Sequence, residues 1–253
     1  LPILQVTGEV AHETEAAVTR EASLTIILNG QELVDLLCTP TNLGYLAVGF
    51  LVSEGLLNGK DDIKKIEVDD TRRVVWVETK EAKEPVFRKR FITSGGGTVQ
   101  GASFHGSADI SRLARIESQV VVTPLQVSKL ADEFRRYSQL FQASRGVHSA
   151  ALCTTESILV FADDLGRHNA LDKVFGECVL KEIPTEGRLV ITTGRVPSEQ
   201  LLKVARRRVP MLISLTVPTD LGVRLATDFG ITLIGAVRGN GMKVYTNSWR
   251  VAA

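Results

Sequence analysis

The sequence predicts an α/β protein with a mixed sheet that has helices on both faces, joined to a smaller N-terminal α+β lobe. In residues 147–237, short apolar runs alternate with segments of helical spacing, and the connections are short. Continuous apolar runs of this kind are typical of strands buried in a parallel or mixed sheet. The N-terminal half instead shows two hairpin patterns around one apolar helix. We place a domain boundary near residue 145, which gives an N-terminal unit of residues 1–144 and a C-terminal unit of residues 145–253.

The N-terminal elements begin with residues 24–28 and 32–37, which flank Asn29-Gly30, a strong signal for a two-residue hairpin. Residues 43–54 are apolar nearly all round, which predicts a buried helix with its one charged residue, Glu54, at the solvent end. Further along the chain, residues 63–68 and 73–79 predict a second hairpin, and residues 86–93 predict another strand.

A capping threonine followed by proline, Thr123-Pro124, predicts the start of a helix that runs to about Gln142. The C-terminal unit then alternates between strands and helices. Strands are predicted over residues 147–153, 157–161, 189–192, 211–215, 232–237 and 243–245, and helices over residues 171–179, 199–207 and 219–229.

Composition excludes several classes of protein. The net charge of +1 argues against a nucleic-acid binder that works through bulk electrostatics, and no apolar stretch reaches the length of a membrane span. The histidines and cysteines lack the spacing of an ordinary zinc site, so no metal site is predicted. Cys38, Cys153 and Cys178 are far apart, which indicates buried, inert thiols in a reducing compartment, and we expect the cytoplasm.

The candidate site follows from topology. The carboxyl ends of parallel strands share one edge of a sheet, so the loops after four strands should converge there. These loops offer the guanidinium groups of Arg167, Arg195 and Arg238 and the hydroxyls of Thr193, Ser214 and Thr216, together with helix N-termini. Such groups suit a phosphorylated, nucleotide-like ligand, and Asp163 and Asp164 could accept hydrogen bonds from a purine or ribose. The alternative is that the hydroxyls only cap helices and the arginines only pair with acids. His148, in an apolar strand, is interpreted as a hydrogen-bonded core histidine rather than a catalytic one.

A glycine-rich loop covers residues 94–101 and contains four glycines. Three adjacent glycines cost backbone entropy. One interpretation is that they allow a close backbone approach or a mobile segment, and the other is that the segment is a plain linker. No Gly-Lys-Ser/Thr follows, so the loop is not a Walker phosphate loop.

Several blocks of the sequence resemble the formate dehydrogenase accessory sulfurtransferase family, FdhD/NarQ. They are RGVHSAALC (145–153), DDLGRHNALDKVFGE (163–177), TTGRVPSEQLLKVARRRVP (192–210), SLTVPTDLGVRLATDFGITLIG (214–235) and VRGNGMKVYT (237–246). The N-terminal LTIILNGQELVDLLCTP and LAVGFLVSEGLL also match, so the resemblance covers essentially the whole chain.

The resemblance implies a cytidine-deaminase-like larger domain and a cytoplasmic homodimer. It implies an accessory protein that passes sulfur from a cysteine desulfurase to the molybdenum cofactor, bis(molybdopterin guanine dinucleotide), before the cofactor enters formate dehydrogenase. GDP is then the expected mimic of the bound cofactor. For cofactor binding the resemblance suggests Ala236, Val237, Arg238, Gly239, Asn240 and Gly241. The convergent loops add the candidates Arg167, His168, Asn169, Thr193, Gly194, Arg195, Ser214 and Thr216.

One departure from the family pattern bears on the chemistry. The family holds its persulfide on a loop cysteine, and the matching positions here are Ser94, Gly95, Gly96 and Gly97. Two hypotheses follow: a sulfurtransferase that uses another thiol or was altered at this loop, or a protein that binds and delivers the cofactor without carrying sulfur. A nucleobase deaminase, suggested by the fold alone, is excluded because the His-x-Glu and Pro-Cys-x-x-Cys zinc pattern is absent.

Overall fold

The computed structural model describes residues 1–81, 90–92 and 113–252, with only the backbone for residues 90–92. The strands are β1 (Pro2–Thr7), β2 (Val10–Glu15), β3 (Ala22–Leu28), β4 (Gln31–Cys38), β5 (Ile63–Asp69), β6 (Val74–Thr79), β7 (Arg90–Ile92), β8 (His148–Cys153), β9 (Ile158–Asp164), β10 (Leu189–Thr192), β11 (Met211–Ser214), β12 (Thr232–Arg238) and β13 (Gly241–Val244). The helices are α1 (Leu43–Ser53), α2 (Pro124–Tyr137), α3 (Gln139–Ser144), α4 (Arg167–Leu180), α5 (Ser198–Arg206) and α6 (Asp220–Asp228). None of these helices has both the length and the apolar character of a membrane span.

The C-terminal sheet has six strands in the order β13-β12-β11-β10-β8-β9. Strands β10, β11 and β12 are parallel, and β8 runs antiparallel to both β10 and β9. Apolar side chains of α4, α5 and α6 pack on one face of this sheet, and those of α2 pack on the other. The predicted mixed α/β fold with helices on both faces is therefore confirmed, while the likeness to cytidine deaminase stays a prediction.

The N-terminal sheet has five strands in the order β5-β6-β3-β4-β7. Both predicted hairpins are present, β3-β4 and β5-β6. The first turns at Asn29 and Gly30, which have φ angles of 51° and 81°, as a two-residue turn of this sequence requires. Helix α1 covers the sheet, and the apolar residues of both form one core that also includes Val179 of α4.

Helices α1 and α4 cross backbone against backbone between the two sheets. A Cβ atom added to Gly49 would lie 1.7 Å from the carbonyl oxygen of Asp172, and one added to Gly176 would lie 1.8 Å from that of Tyr45. Only glycine at both positions permits this approach, because no side chain fits between the helices.

Two buried ion pairs flank that crossing. Lys173 Nζ lies 2.7 Å from Asp164 Oδ2 and also donates to the carbonyl oxygen of Thr39, in the N-terminal unit. Lys203 Nζ lies 2.5 Å from Asp172 Oδ2, and Asp172 Oδ1 accepts from Ser53 Oγ. Each carboxylate thereby gains a cation and neutral donors, which buried charges need if they are not to destabilise the fold.

A hairpin that the sequence analysis did not predict precedes these elements. Strands β1 and β2 form an isolated two-stranded sheet, paired from Pro2 with Glu15 to Thr7 with Val10. Almost every residue in it is exposed, including Leu4 and Val6 at 62% each. We call residues 2–15 the N-terminal arm.

Several predicted boundaries were wrong. The single helix expected over residues 123–142 is broken at Ser138, whose backbone is extended and whose hydroxyl accepts from Phe141 N to start α3. Strand β9 continues through Asp164, because the Ser149 hydroxyl donates to Asp163 and the Asn169 amide donates to the buried Asp164. The strand predicted over residues 86–93 is described only at Arg90–Ile92, and the glycine-rich loop lies outside the described residues.

Helix α2 packs on the C-terminal sheet, although the sequence analysis grouped it with residues 1–144. Its residues Val127, Leu130 and Phe134 share a core with β8, β10, β11 and β12. The amphipathic pattern predicts the buried face of this helix but not which sheet covers that face. The division of the chain into two domains stays a prediction.

Glu54 is not at a solvent end. Its residue is only partly exposed, and its Oε2 atom is buried without a hydrogen-bond partner. Burial raises the pKa of Glu54 to about 7; Asp172 and Glu199 raise it further, while Lys203 and Arg206 lower it. The expected position was wrong because α1 ends against α5 rather than in water.

Candidate functional site

The loops that follow β9, β10, β11 and β12 lie along one edge of the C-terminal sheet, as predicted. Backbone hydrogen bonds link the loops after β10, β11 and β12 to neighbouring elements of this edge: Thr193 N donates to Ser149 O of β8, Leu215 N to Thr192 O, and Ala236 N to Thr216 O, at 3.1, 3.0 and 2.6 Å. The side chain of Ser214 adds a bond of 2.8 Å to Gly194 O. We call this edge the loop rim.

Three arginines sit on the loop rim. The side chain of Arg167 passes so close to Gly194 that a Cβ there would lie 2.8 Å from the Cβ of Arg167. Burial lowers the pKa of the Arg167 guanidinium, and the neighbouring Arg195 cation lowers it further. Arg238 is exposed at the end of β12. The three arginine residues thus lie along one edge of the sheet.

A cavity of about 450 Å³ opens beside the loop rim. Its polar lining comes from Arg135, Ser138, Arg145, His148, Ser149 and Thr193, and its apolar lining from Phe134, Phe141, Val147, Leu165 and Leu215. Its size falls within the range of small-molecule sites, and aromatic rings with a few convergent polar groups are typical of such sites.

Local structure explains the two cavity arginines. Arg145 ends α3 with a φ angle of 56°, its N–H donates to Phe141 O, and its guanidinium lies 5.0 Å from the centre of the Phe141 ring. Arg135, in the last turn of α2, donates to Asp132 and to Val237 O at 2.8 and 2.5 Å. Arg135 is therefore anchored at both ends of its guanidinium, whereas Arg145 presents its charge at the exposed mouth of the cavity.

The two walls of the cavity are joined by one carboxylate. Asp163 accepts from Ser149 Oγ in β8 at 2.5 Å and from Ser138 Oγ between α2 and α3 at 2.6 Å. Both oxygens of Asp163 already accept a hydrogen bond from the protein, and its role as an acceptor for a purine or ribose stays a prediction. Asp164 is likewise occupied by Thr39, Gly166, Asn169 and Lys173.

His148 was interpreted from the sequence as a core residue, and the structure gives it a second role. It is half-buried, lines the cavity, and its Nδ1 lies 3.2 Å from Thr193 Oγ1. Burial lowers the pKa of His148, and the nearby Arg167 cation lowers it further, which favours a neutral imidazole. The sequence signal was its place at the start of a strand in the RGVHSAALC block.

The structure divides the predicted site residues into three groups. Thr193 lines the cavity, and Arg167, Arg195, Thr216, Arg238, Gly239, Asn240 and Gly241 lie on the loop rim. Other predicted residues serve the fold: Asn169 bonds Leu37 O and Asp164, Ser214 is fully buried, and Val237 is part of the core.

The third group consists of Ala236 and Gly194, whose backbone or lack of a side chain matters, and the buried His168. Ala236 has a φ angle of 54°, beside the bulge between β12 and β13, and Gly194 makes room for Arg167. His168 is buried, with Nε2 lying 3.6 Å from Glu199 Oε2. The sequence analysis missed Arg135, Phe141 and Arg145 because they lie on, or directly after, helices that precede the strand-and-loop pattern.

All three thiols are buried, as predicted. Burial raises the pKa of Cys38, Cys153 and Cys178 to about 12 each, so a thiolate is disfavoured at every one of them near neutral pH. Since the thiolate is the reactive form, none of these sites is built for attack on a sulfur donor in this conformation.

Comparison with known proteins identifies the family. The model of the FdhD/NarQ family matches residues 19–252. This chain belongs to the FdhD/NarQ family. A relative from Bacillus subtilis, named sulfur carrier protein FdhD, is 38% identical over 249 residues and is covered over 93% of its length, with 96% of this chain. A relative of the same name from Staphylococcus aureus is 34% identical over 247 residues, covering 96% of this chain and 92% of the relative.

A solved structure shows the same fold. A formate dehydrogenase accessory protein from Desulfotalea psychrophila superposes with a TM-score of 0.82 over 100% of this chain and 98% of its own, at 23% identity. Within the FdhD/NarQ fold of this chain, the arginine-bearing edge and the cavity adjoin each other, while its cysteines lie in the hydrophobic cores.

Proposed function

We propose that this FdhD/NarQ chain is an accessory protein of formate dehydrogenase that binds the molybdenum cofactor, bis(molybdopterin guanine dinucleotide), through the cofactor's guanine nucleotide. The observation that supports this best is the cavity with Arg145 at its mouth, directly beside the arginines of the loop rim. Aromatic walls suit a planar base, and guanidinium groups suit diphosphate oxygens.

In this proposal each group has a role set by its position. Phe134 and Phe141 provide the apolar faces for the base, and Arg145 neutralises phosphate charge at the mouth. The neutral His148 and the hydroxyl of Thr193 offer hydrogen bonds inside the cavity. The loop rim, with Arg167, extends the positive surface toward a second nucleotide.

Titration calorimetry with GDP tests the proposal. We expect the wild-type chain to bind GDP, and we expect Arg145→Ala and Arg238→Ala each to weaken binding. Loss of a charge-assisted phosphate contact should cost about 1.5–3 kcal/mol, which is about 10- to 150-fold in Kd.

Arg136→Ala is the matched control, because Arg136 is an exposed arginine of α2 that does not line the cavity. It should bind GDP like the wild type. Absence of GDP binding, or equal loss in the control and in Arg145→Ala, would show that the site is elsewhere.

A second candidate function is sulfur transfer to that cofactor from a cysteine desulfurase. Family membership favours it, since relatives are named sulfur carrier proteins. Against it stand the sequence of residues 94–97, which contains no cysteine, and the burial of the three thiols. The cavity and the loop rim support binding of the cofactor, and family membership supports sulfur transfer to it. In both cases we propose formate dehydrogenase as the partner and the cytoplasm as the compartment.

Mass spectrometry separates the two candidates. The chain is incubated with a cysteine desulfurase and cysteine, and a thiol that accepts sulfur gains about 32 Da as a persulfide. An adduct on any of the three cysteines supports sulfur transfer. An unmodified chain, with a relative that has the loop cysteine modified in parallel, supports binding and delivery alone.

A further inference from the structure

His148 and Thr193 meet at the cavity because their strands pair. Strands β8 and β10 are antiparallel neighbours, with Ala150 opposite Thr192. Just beyond this pair, Thr193 N donates to Ser149 O at 3.1 Å, and Ser149 N donates to Thr193 Oγ1 at 3.0 Å. These bonds hold the Thr193 hydroxyl oxygen 3.2 Å from His148 Nδ1. The strand pairing therefore fixes Nδ1 as the ring nitrogen that faces the protein.

The hydroxyl hydrogen of Thr193 determines the tautomer of His148. Thr193 Oγ1 accepts from Ser149 N, and in the part of the chain that the structure describes the one acceptor for its own hydrogen is His148 Nδ1. A neutral imidazole donates from one nitrogen and accepts at the other, so the ring hydrogen then lies on Nε2. The reverse assignment would leave a half-buried hydroxyl hydrogen unpaired with any described residue, which costs free energy. Burial and the Arg167 cation lower the pKa of His148, which keeps the ring neutral.

The other hydroxyl donors that line the cavity are already engaged. The hydroxyls of Ser138 and Ser149 both donate to Asp163, at 2.6 and 2.5 Å. Of the two cavity arginines, one is anchored to the protein and the other lies at the mouth. His148 Nε2 has no hydrogen-bond partner among the described residues. Its N–H is therefore the neutral side-chain donor that the described lining leaves for the edge of a bound base.

A single donor at this position distinguishes the common purines. Guanine carries an acceptor, O6, where adenine carries an amino donor, and both bases have the acceptor N7. The Nε2–H group of His148 pairs with O6 of guanine, whereas adenine in the same pose brings two donors together. A buried donor without an acceptor loses affinity, which is how sites that hydrogen-bond a substrate reject an analogue without the matching group.

We propose that His148 is a specificity-determining residue of the cavity, which selects guanine over adenine by donating from Nε2 to the guanine O6. Thr193 is the positioning residue, because its hydroxyl keeps the ring hydrogen of His148 on Nε2. This role of His148 rests on the proposed function and adds the group that recognises the base.

Titration calorimetry with three diphosphates tests the selection. GDP and inosine diphosphate both carry O6, inosine diphosphate lacks the 2-amino group of guanine, and ADP has an amino group in place of O6. We expect GDP and inosine diphosphate to bind the wild-type chain with similar affinity, and ADP to bind roughly 10- to 100-fold more weakly. Inosine diphosphate that binds as weakly as ADP would place recognition at the 2-amino group and overturn the inference.

Two variants separate recognition of the base from binding of the phosphates. His148→Phe keeps a ring in the cavity wall but has no donor, so the affinities for GDP and ADP should become nearly equal. Arg145→Ala is the matched control, since a phosphate contact at the mouth is common to both nucleotides. It should weaken GDP and ADP alike and leave the ratio of their Kd values unchanged. Circular dichroism confirms that each variant is folded.

Nitrogen-15 NMR of the histidine rings measures the tautomer without any ligand. The chain has four histidines, and the signal lost in His148→Phe assigns the ring of His148. We expect the Nε2–H tautomer in the wild type and in Thr193→Ser, which keeps the hydroxyl, and a mixture with the Nδ1–H tautomer in Thr193→Val. Thr193→Val should also lower the preference for GDP over ADP, whereas a purely structural role of Thr193 would leave the tautomer unchanged.

An Nδ1–H tautomer in the wild type would overturn the inference, and so would a preference for GDP that survives His148→Phe. A chain that binds GDP and ADP equally well keeps the cofactor site and loses only the role of His148, whereas a chain that binds neither nucleotide loses both.

Discussion

The crossing of α1 and α4 gives the sharpest test of how this fold is held together. Replacing Gly49 by alanine puts a methyl group 1.7 Å from the carbonyl oxygen of Asp172, where ordinary contact begins at 3.4 Å. The obstacle is backbone on a second helix, so no side-chain rotation relieves it. The helices must separate by roughly 1.5 Å, which loosens the van der Waals contacts along both.

The energetic consequence is large for a single methyl group. Overpacking of this kind costs about 1–3 kcal/mol, and separation of the helices also strains the buried pair of Asp172 and Lys203. The higher helix propensity of alanine compared with glycine offsets about 1 kcal/mol of this cost. We expect a net loss of about 2 kcal/mol, the upper end of the overpacking cost less the gain in helix propensity, which lowers Tm by roughly 4–8 °C for a chain of this size.

Urea unfolding followed by circular dichroism measures the loss, and Gly44→Ala is the control in the same helix. A Cβ on Gly44 would meet only side chains, Val68 at 3.1 Å and Ile66 at 3.9 Å, and Val68 is 44% exposed and can move. Gly44→Ala should therefore change stability by no more than about 1 kcal/mol. If the two variants have the same free energy of unfolding, the helices do not cross backbone against backbone, and the reasoning is refuted.

Three further predictions concern the buried polar groups. Because the pKa of Glu54 is raised from 4.5 to about 7 in the folded chain, the stability it contributes is present below pH 4.5 and is lost as pH rises through 7. Glu54→Gln should remove this pH dependence of the unfolding free energy and stabilise the chain at pH 8 by as much as about 3 kcal/mol. Urea titrations at several pH values measure the effect, and a pH profile equal to that of the wild type would contradict the prediction. Lys173→Met leaves Asp164 buried without its cation and should cost about 3–5 kcal/mol, while adding Asp164→Asn should recover part of the loss. The three cysteines should be inert to a thiol reagent in the native chain and all react in denaturant; a thiol that reacts at the rate of free cysteine in the native chain would show that burial does not protect it.

The sequence predicts local features of this fold well. Apolar runs, caps and the Asn29-Gly30 turn locate the strands and helices, because each depends on a few neighbouring residues. The convergence of the loops on one edge follows from strand direction, and the register of β10, β11 and β12 confirms it.

Features that depend on distant contacts are not visible in the same way. Nothing local in α1 indicates that Gly49 meets α4, and nothing in α3 indicates that Arg145 faces a cavity with His148. Glu54 looks like an exposed helix end until α5 covers it. The arm has alternating strand residues but no apolar face of ordinary size, so it gives only a weak signal of its position.

The carboxylate of Asp163 holds the cavity in shape before a ligand binds. Since it fastens Ser138 and Ser149 across the cavity, the opening between helix and sheet keeps its width before anything enters. Binding of a nucleotide would then cost the entropy of the nucleotide but not the entropy of ordering the cavity, which strengthens binding. Asp163→Asn would replace two acceptor oxygens by one acceptor and one donor. The cavity would then be less ordered before binding, and a nucleotide would bind more weakly because binding would have to order it.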